Sequence, residues 1–348
     1  MSRAADGPAP RGPARLPTLE AVAERAGVGR GTVSRVINDS PRVSERAKAA
    51  VQQAISELGY VPNRAARTLV TRRTDSVALV VPEAETRLFS EPYFSEIIRG
   101  VAAELSDTNM QLLLILVRTD QERDRLADYL GAHRVDGVLM VSVHSDDPLP
   151  DLLERLGIPA VLGGRRSDLE PLSYVHSDNL GGARTAVRHL LSRGCAKVAT
   201  ITGPLDMEVA RARLDGYRRA LEEAGLPYRE ELVGLGDFTE TAGHRVMGEL
   251  LERCPDLDAV FAASDLMAAA AMRVLRQAGR RVPEDVAVVG FDDSAIARHT
   301  DPPMTSVRQP TEEMGRVMAR LLLDQIAAPE RTHQQIALAT DLVVRTSA

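Results

Sequence analysis

Apolar residues recur at helical spacing over the first sixty positions and then give way to short, unbroken apolar runs. In TLEAVAERA (18–26), Leu19, Val22, Ala23 and Ala26 fall at i, i+3, i+4 and i+7, with Thr18 placed as a cap and Gly27 as a stop. GVGRGTVSRVIN (27–38) follows, with Val33, Val36 and Ile37 on one face, which turns Arg30, Gly31, Ser34 and Arg35 away from it. SERAKAAVQQAISELG (44–59) has Ser44 as its cap, Ala47, Val51, Ala54, Ile55 and Leu58 inward, and Gly59 at its end. Two short helices joined by a tight glycine turn, braced by a third, predict a helix-turn-helix.

Beyond Thr74 the pattern changes. SVALVV (76–81), QLLLIL (111–116), GVLMVS (137–142), PAVLGG (159–164), KVATIT (197–202), AVFAAS (259–264) and VAVVGF (286–291) are apolar throughout, not alternating. That pattern suits strands buried on both faces of parallel sheets. Amphipathic stretches such as YFSEIIRGVAAELSDT, NLGGARTAVRHLLSRG and DLMAAAAMRVLRQAG lie between them. The expected class is therefore α/β: a helical head, then doubly wound parallel sheets with ligands at the strand carboxyl ends.

Composition sharpens this. The 348 residues are 44% hydrophobic, enough for two or three compact units, and with no Trp, five Phe and six Tyr the cores must be built of Leu, Val and Ala. Cys195 and Cys254 stand far apart without metal or redox spacing, so two buried thiols in a reducing compartment are expected. There is no apolar run long enough for a membrane span and no signal-peptide core, so a cytoplasmic protein with a disordered tail over 1–17 is expected. The formal net charge of −6 hides an asymmetry: residues 1–74 hold 13 Lys+Arg against 6 Asp+Glu, so the body is strongly acidic. A basic head on an acidic body implies a polyanionic partner for the head alone. In a helix-turn-helix the second helix enters the major groove by its N-terminal residues, and Arg pairs bidentately with guanine, which gives Arg30 and Arg35 a task. An exposed helix with solvated arginines fits the same pattern.

No GxGxxG after a strand, GxxxxGK[ST], GxSxG or HExxH occurs, and the seven histidines are scattered, so no enzyme, metal site or cofactor is expected. Asp178, Asp265 and Asp292-Asp293 each follow a strand. Asp178 and Asp265 precede helices, where capping serves equally well, whereas Asp292 favours a pocket role. The rival readings are a sugar-binding protein and an α/β enzyme, neither of which needs the basic head.

The block TLEAVAERAGVGRGTVSRVIN through RVSERAKAAVQQAISELGYVPNRAARTL resembles the head of the lactose-repressor and purine-repressor (LacI/GalR) regulators, most specifically at Thr32–Arg35 and Tyr60–Asn63. The resemblance implies a DNA-binding domain at 18–62 and a hinge helix and linker at 63–74. In the family, two hinge helices sit in the minor groove and the residue matching Leu69 wedges between base pairs. It places DNA contacts at Leu19, Arg30, Gly31, Thr32, Ser34, Arg35, Asn38, Arg42, Ser44, Asn63, Ala66, Arg67 and Leu69. Gly29 stands where the family usually has Ser. The run GYVPNRAARTLVTRRTDSVALVV is similar to actinobacterial regulators of cellulose or β-glucoside use.

VHSDNLGGA, ARARLDGY, GDFTETAG, AASDLMAAAAM, RRVPEDVAVVGFDD and PPMTSVRQP likewise resemble the family's effector domain (75–348), which is similar to periplasmic sugar-binding proteins. That implies an N-subdomain (75–175 and 306–325), a C-subdomain (178–303 and 335–346), three crossovers and a cleft. Arg213, Phe238, Asp292 and Gln309 fall where the family holds its ligand, with Phe89, Tyr93, Arg165, Asp178, Ser264 and Asp265 as further candidates. Ser264 departs from the family's usual Asn, and Cys195 from its usual His. The implied protein is a sugar-responsive repressor of carbohydrate genes. A palindromic operator needs two heads, and the chain ends at DLVVRTSA without a tetramer-forming heptad helix, so a homodimer is expected.

Overall fold

The computed structural model describes residues 17–37, 42–61, 73–328 and 333–348. The chain divides into two compact units that meet at Thr74 and Asp75. In the first, α1 (Leu19–Ala26) starts where Thr18 Oγ1 accepts the Ala21 N–H at 3.3 Å and stops at Gly27, whose φ of 65° glycine adopts without strain. Gly29's carbonyl accepts from the Thr32 and Val33 N–H groups, opening α2 (Arg30–Ile37). Ser44 caps α3 (Glu45–Leu58), and Gly59 ends it. The core of this unit is Val22, Val33 and Val51, fully buried, ringed by Ala23, Val36, Ala54 and Tyr60. Each such valine stabilises by roughly 1.5–3 kcal/mol, so the head rests on few residues.

The second unit holds two six-stranded sheets. Its strands are β1 (Ser76–Val81), β2 (Gln111–Leu116), β3 (Gly137–Val141), β4 (Ala160–Gly163), β5 (Ser173–Ser177), β6 (Val198–Thr202), β7 (Val233–Leu235), β8 (Ala259–Ala262), β9 (Ala287–Asp292), β10 (Thr305–Arg308), β11 (Gln335–Leu338) and β12 (Asp341–Val343). The first sheet runs β11-β5-β4-β3-β1-β2, all parallel. The second runs β12-β10-β9-β8-β6-β7, parallel except for β12. The helices are α4 (Glu85–Ser90), α5 (Pro92–Leu105), α6 (Asp120–Gly131), α7 (Leu149–Leu156), α8 (Asn179–Ser192), α9 (Glu208–Glu223), α10 (Glu240–Arg253), α11 (Asp265–Gln277), α12 (Ala295–His299) and α13 (Thr311–Ala327). α5 and α13 cover the first sheet, and they approach so closely that a Cβ on Gly100 would lie 2.0 Å from the Glu312 carbonyl oxygen.

Strand pairing corrects the expected subdomain limits. The resemblance puts residues 306–325 in the N-subdomain, yet β10, which includes 306–308, pairs with β9, Ser306 opposite Gly290. Residues 335–338 were placed with the C-subdomain, yet β11 pairs with β5, Ile336 opposite Val175. The three crossings therefore lie near Asp178, Pro310 and Thr340. QLLLIL was expected to be buried, but β2 is an edge strand and Leu114 is 44% exposed. The N-terminal tail (residues 1–16), the hinge (residues 63–72) and the candidates Asn38, Asn63, Ala66, Arg67 and Leu69 lie outside the described residues.

Candidate functional site

On the head, the buried valines of α2 fix which face is free. Arg35, Arg30 and Gly31 are exposed, and Thr32 and Ser34 are half-buried beside them. Arg30 is not bare: its Nη1 lies 3.2 Å from Glu20 Oε1 of α1, an exposed pair worth little that a stronger anion would displace. Arg42 is exposed and Ser44 accepts from the Ala47 N–H. The Leu19 side chain is half-buried and packs against the head core.

In the second unit, a cleft opens between the lobes at the carboxyl ends of the strands. Arg213, from α9, forms its floor and is 4% exposed. Its Nε donates to Asn179 Oδ1 at 2.9 Å and its Nη1 to the Ala263 carbonyl at 2.5 Å. The guanidinium lies 3.7 Å from the centre of the Phe291 ring, a desolvated cation–π contact. Burial pulls its basicity down while Asp292 opposes the loss, so the cation is retained. Asp292, at the end of β9, has φ 116°, a strained conformation for a residue with a side chain. It accepts from Gln309 Nε2 at 2.6 Å, and desolvation lifts its carboxyl to about 6 against the pull of Arg213.

Phe238, with φ 71°, lies over Gly203, where a Cβ would strike its ring. The guanidiniums of Arg213 and Arg87 approach the ring at 5.7 and 5.5 Å, the second from the opposite lobe. Arg87 is itself braced by Glu83 at 2.5 Å and Glu91 at 2.6 Å. Burial raises the Glu91 carboxyl to about 7. Tyr93 and Arg165 line the same wall, Arg165 being held by Glu208 of the other lobe at 3.0 Å.

Of the ten effector candidates, seven thus meet in one cleft: Tyr93, Arg165, Arg213, Phe238, Ser264, Asp292 and Gln309. Three do not. Phe89 is 81% exposed on the outer side of α4. Asp178 is exposed and caps α8, accepting from the Gly181 N–H. Asp265 is 1% exposed beneath the floor, where it accepts from the Ser294 N–H at 2.7 Å and Ser306 Oγ at 2.5 Å. Burial and the neighbouring Asp292 push its carboxyl well above the usual range.

The cleft also holds residues the sequence reasoning missed: Arg87, Glu91, His176, Ser177 and Asn179. Asn179 stands next to Asp178, and the helix start turns one outward and the other in. Ser177 Oγ is buried without a hydrogen-bond partner. The Glu83–Arg87–Glu91 spacing of four was the available signal for that wall.

Comparison with known proteins agrees along the chain. The profile "Bacterial regulatory proteins, lacI family" matches residues 18–63, and "Periplasmic binding protein-like domain" matches 187–348. The chain is 57% identical to the HTH-type transcriptional regulator CelR of Thermobifida fusca, over 96% of this chain and 98% of that one. It is 34% identical to the ribose operon repressor of Escherichia coli (strain K12), over 96% and 100%. A solved CelR–cellobiose complex is 54% identical, with TM-score 0.77 over 95% of this chain and 100% of that one. The Lac repressor dimer bound to operator and the anti-inducer ONPF is 26% identical, with TM-score 0.83 over 96% and 99%. Among the described residues no helix is long and apolar enough to cross a membrane. The basic helix-turn-helix head, the two-lobed body and these relatives together place the chain in the LacI family of bacterial regulatory proteins, as a DNA-binding transcriptional regulator and not an enzyme.

Proposed function

We propose that this regulator acts in the cytoplasm as a homodimeric repressor of carbohydrate-use genes, and that a neutral glucose disaccharide, with cellobiose as the first candidate, alters its grip on a palindromic operator. The observation that carries the ligand class is charge balance in the cleft. Arg213 faces Asp292, Arg87 lies between Glu83 and Glu91, and Arg165 is held by Glu208. With every one of these cations already matched, an anionic sugar gains no unpaired charge, whereas hydroxyls can insert between the partners as both donors and acceptors. Phe238 offers an apolar ring for sugar C–H groups. The 54%-identical relative solved with cellobiose supports the same class. Arg30, Gly31, Thr32, Ser34 and Arg35 are the base- and backbone-reading positions on this proposal.

Titration calorimetry with cellobiose, glucose and glucose 6-phosphate tests it. Cellobiose should bind, and operator affinity measured by fluorescence anisotropy should shift on its addition. Tighter binding of the phosphorylated sugar would overturn the ligand class.

A further inference from the structure

Outside the cleft, at one rim, a histidine bridges the lobes. His144 follows β3 of the first lobe. Its Nδ1 lies 2.6 Å from Asp206 Oδ2, in the loop after β6 of the second lobe, and its Nε2 lies 3.2 Å from Glu83 Oε1 of its own lobe. Beside it the Ser145 N–H donates to the Asp206 carbonyl at 3.0 Å, and Arg211 of the second lobe reaches the Arg166 carbonyl of the first at 3.2 Å. His144 does not line the ligand space, yet Glu83 joins it to Arg87, which does.

We infer that His144 is a positioning residue for effector binding: as an imidazolium clasped between Glu83 and Asp206, it ties the two lobes together at the rim and sets the cleft walls at ligand distance. A neutral imidazole has one N–H and cannot donate to both carboxylates; the charged ring can. The groups facing it are Glu83 after β1, Asp206 after β6, and Asp146 and Asp147 on its own loop, with Arg123 of α6 across the same recess and Arg87 and Arg166 behind the carboxylates. Carboxylates dominate its immediate contacts. The hydrogen bond to Glu83 is the largest cause holding the ring's pKa up at about 9, with Asp206 adding to it against desolvation. A raised histidine pKa means that the clasp is complete below about 6.5, the unperturbed value, and is lost as pH rises through about 9.

The inference rests on the proposed ligand for one test arm and is independent of it in the other. Cellobiose affinity of the full-length wild type, His144→Gln and Asp206→Asn is measured at about pH 6 and about pH 10. Glu91 and Asp292 also titrate in this window, but they are common to all three proteins and cancel in the ratio. The His144→Gln to wild-type ratio of dissociation constants should be about five- to tenfold at the lower pH, discounted for the half-exposed Asp206, and about one at the higher. Asp206→Asn should show the same trend. A ratio that is constant with pH, or near one throughout, overturns the inference.

The ligand-free arm compares melting temperatures. The wild type should exceed His144→Gln near pH 6 and converge with it near pH 10, and the double variant His144→Gln, Asp206→Asn should be less destabilised than the two single losses combined. Absent binding of cellobiose to any of the proteins refutes the proposed ligand, and the thermal arm then decides the clasp alone: melting differences that ignore pH, or fully additive losses, refute it.

Discussion

The Arg213 guanidinium and the Asp292 carboxylate face each other at 3.8 Å, close enough to attract strongly in a desolvated site and too far for a direct hydrogen bond. A ligand hydroxyl between them can accept from one and donate to the other. Asp292→Asn keeps the shape and the Gln309 contact but removes the charge. We expect cellobiose affinity to fall by about ten- to a hundredfold, the usual cost of losing a hydrogen bond to a charged group. Operator binding without sugar should stay at the wild-type level. Calorimetry and anisotropy on the same preparation check both.

The same carboxylate predicts a pH dependence of stability. Its pKa stands at about 6 in the folded chain, against an ordinary 3.8, so the folded state binds the proton more tightly. The wild type should therefore lose stability relative to Asp292→Asn as pH rises from about 4 to about 6, and then run parallel, with a change of about 3 kcal/mol. Urea denaturation of the two proteins across that range measures it; parallel curves throughout would mean that Asp292 is not held in a desolvated site.

On the head, Arg35 is exposed and Arg30 is engaged with Glu20. Arg35→Ala should cost about 1–3 kcal/mol on the specific operator and relax base preference at one position. The loss on random DNA should be smaller. Equal losses on operator and random duplex would reduce Arg35 to a phosphate contact.

Much of this architecture is legible in the chain because parallel strands are dense apolar runs: β1 and β2 coincide with SVALVV and QLLLIL. The short strands escaped, since β7, β10 and β12 have three or four residues and β10 carries Ser306 and Arg308. Strand pairing, which the sequence does not display, decided the lobe of β10 and β11. In the cleft, the reasoning that ligands follow strands singled out Asp292 correctly as facing the cavity. It treated Asp178 and Asp265 alike, although one caps a helix and the other satisfies buried donors, because burial depends on partners distant in the chain. Phe89 stands among the ligand candidates, but an aromatic residue's identity carries no information about which way its side chain points.

An exposed leucine on an edge strand is a template for a second copy. Leu114 on β2 is 44% exposed and Leu235 on β7 is 59% exposed, each at the same end of its sheet order. Leu114→Arg should convert the dimer to monomer in light scattering at micromolar protein and weaken operator binding by at least tenfold, because each half-site would then be held separately. A dimer mass for that variant would place the interface elsewhere.

Helix α13 is seated by glycine. Gly100→Ala would drive a methyl group into the Glu312 carbonyl, and overpacking of this kind costs about 1–3 kcal/mol. Gly248→Ala, where no atom lies within 4 Å of the added methyl, serves as the control and should be neutral or slightly stabilising. Thermal unfolding distinguishes them.

Each lobe takes a strand from the last stretch of chain: β11 completes the first sheet and β12 the second. Neither sheet can then be finished until residues 335–343 have been made, so the growing chain carries two open sheet edges until that point. A nonsense codon ahead of residue 335 would strip an edge strand from both halves at once. In a genetic screen such late truncations should behave as full loss of regulation, indistinguishable from deletion of the gene.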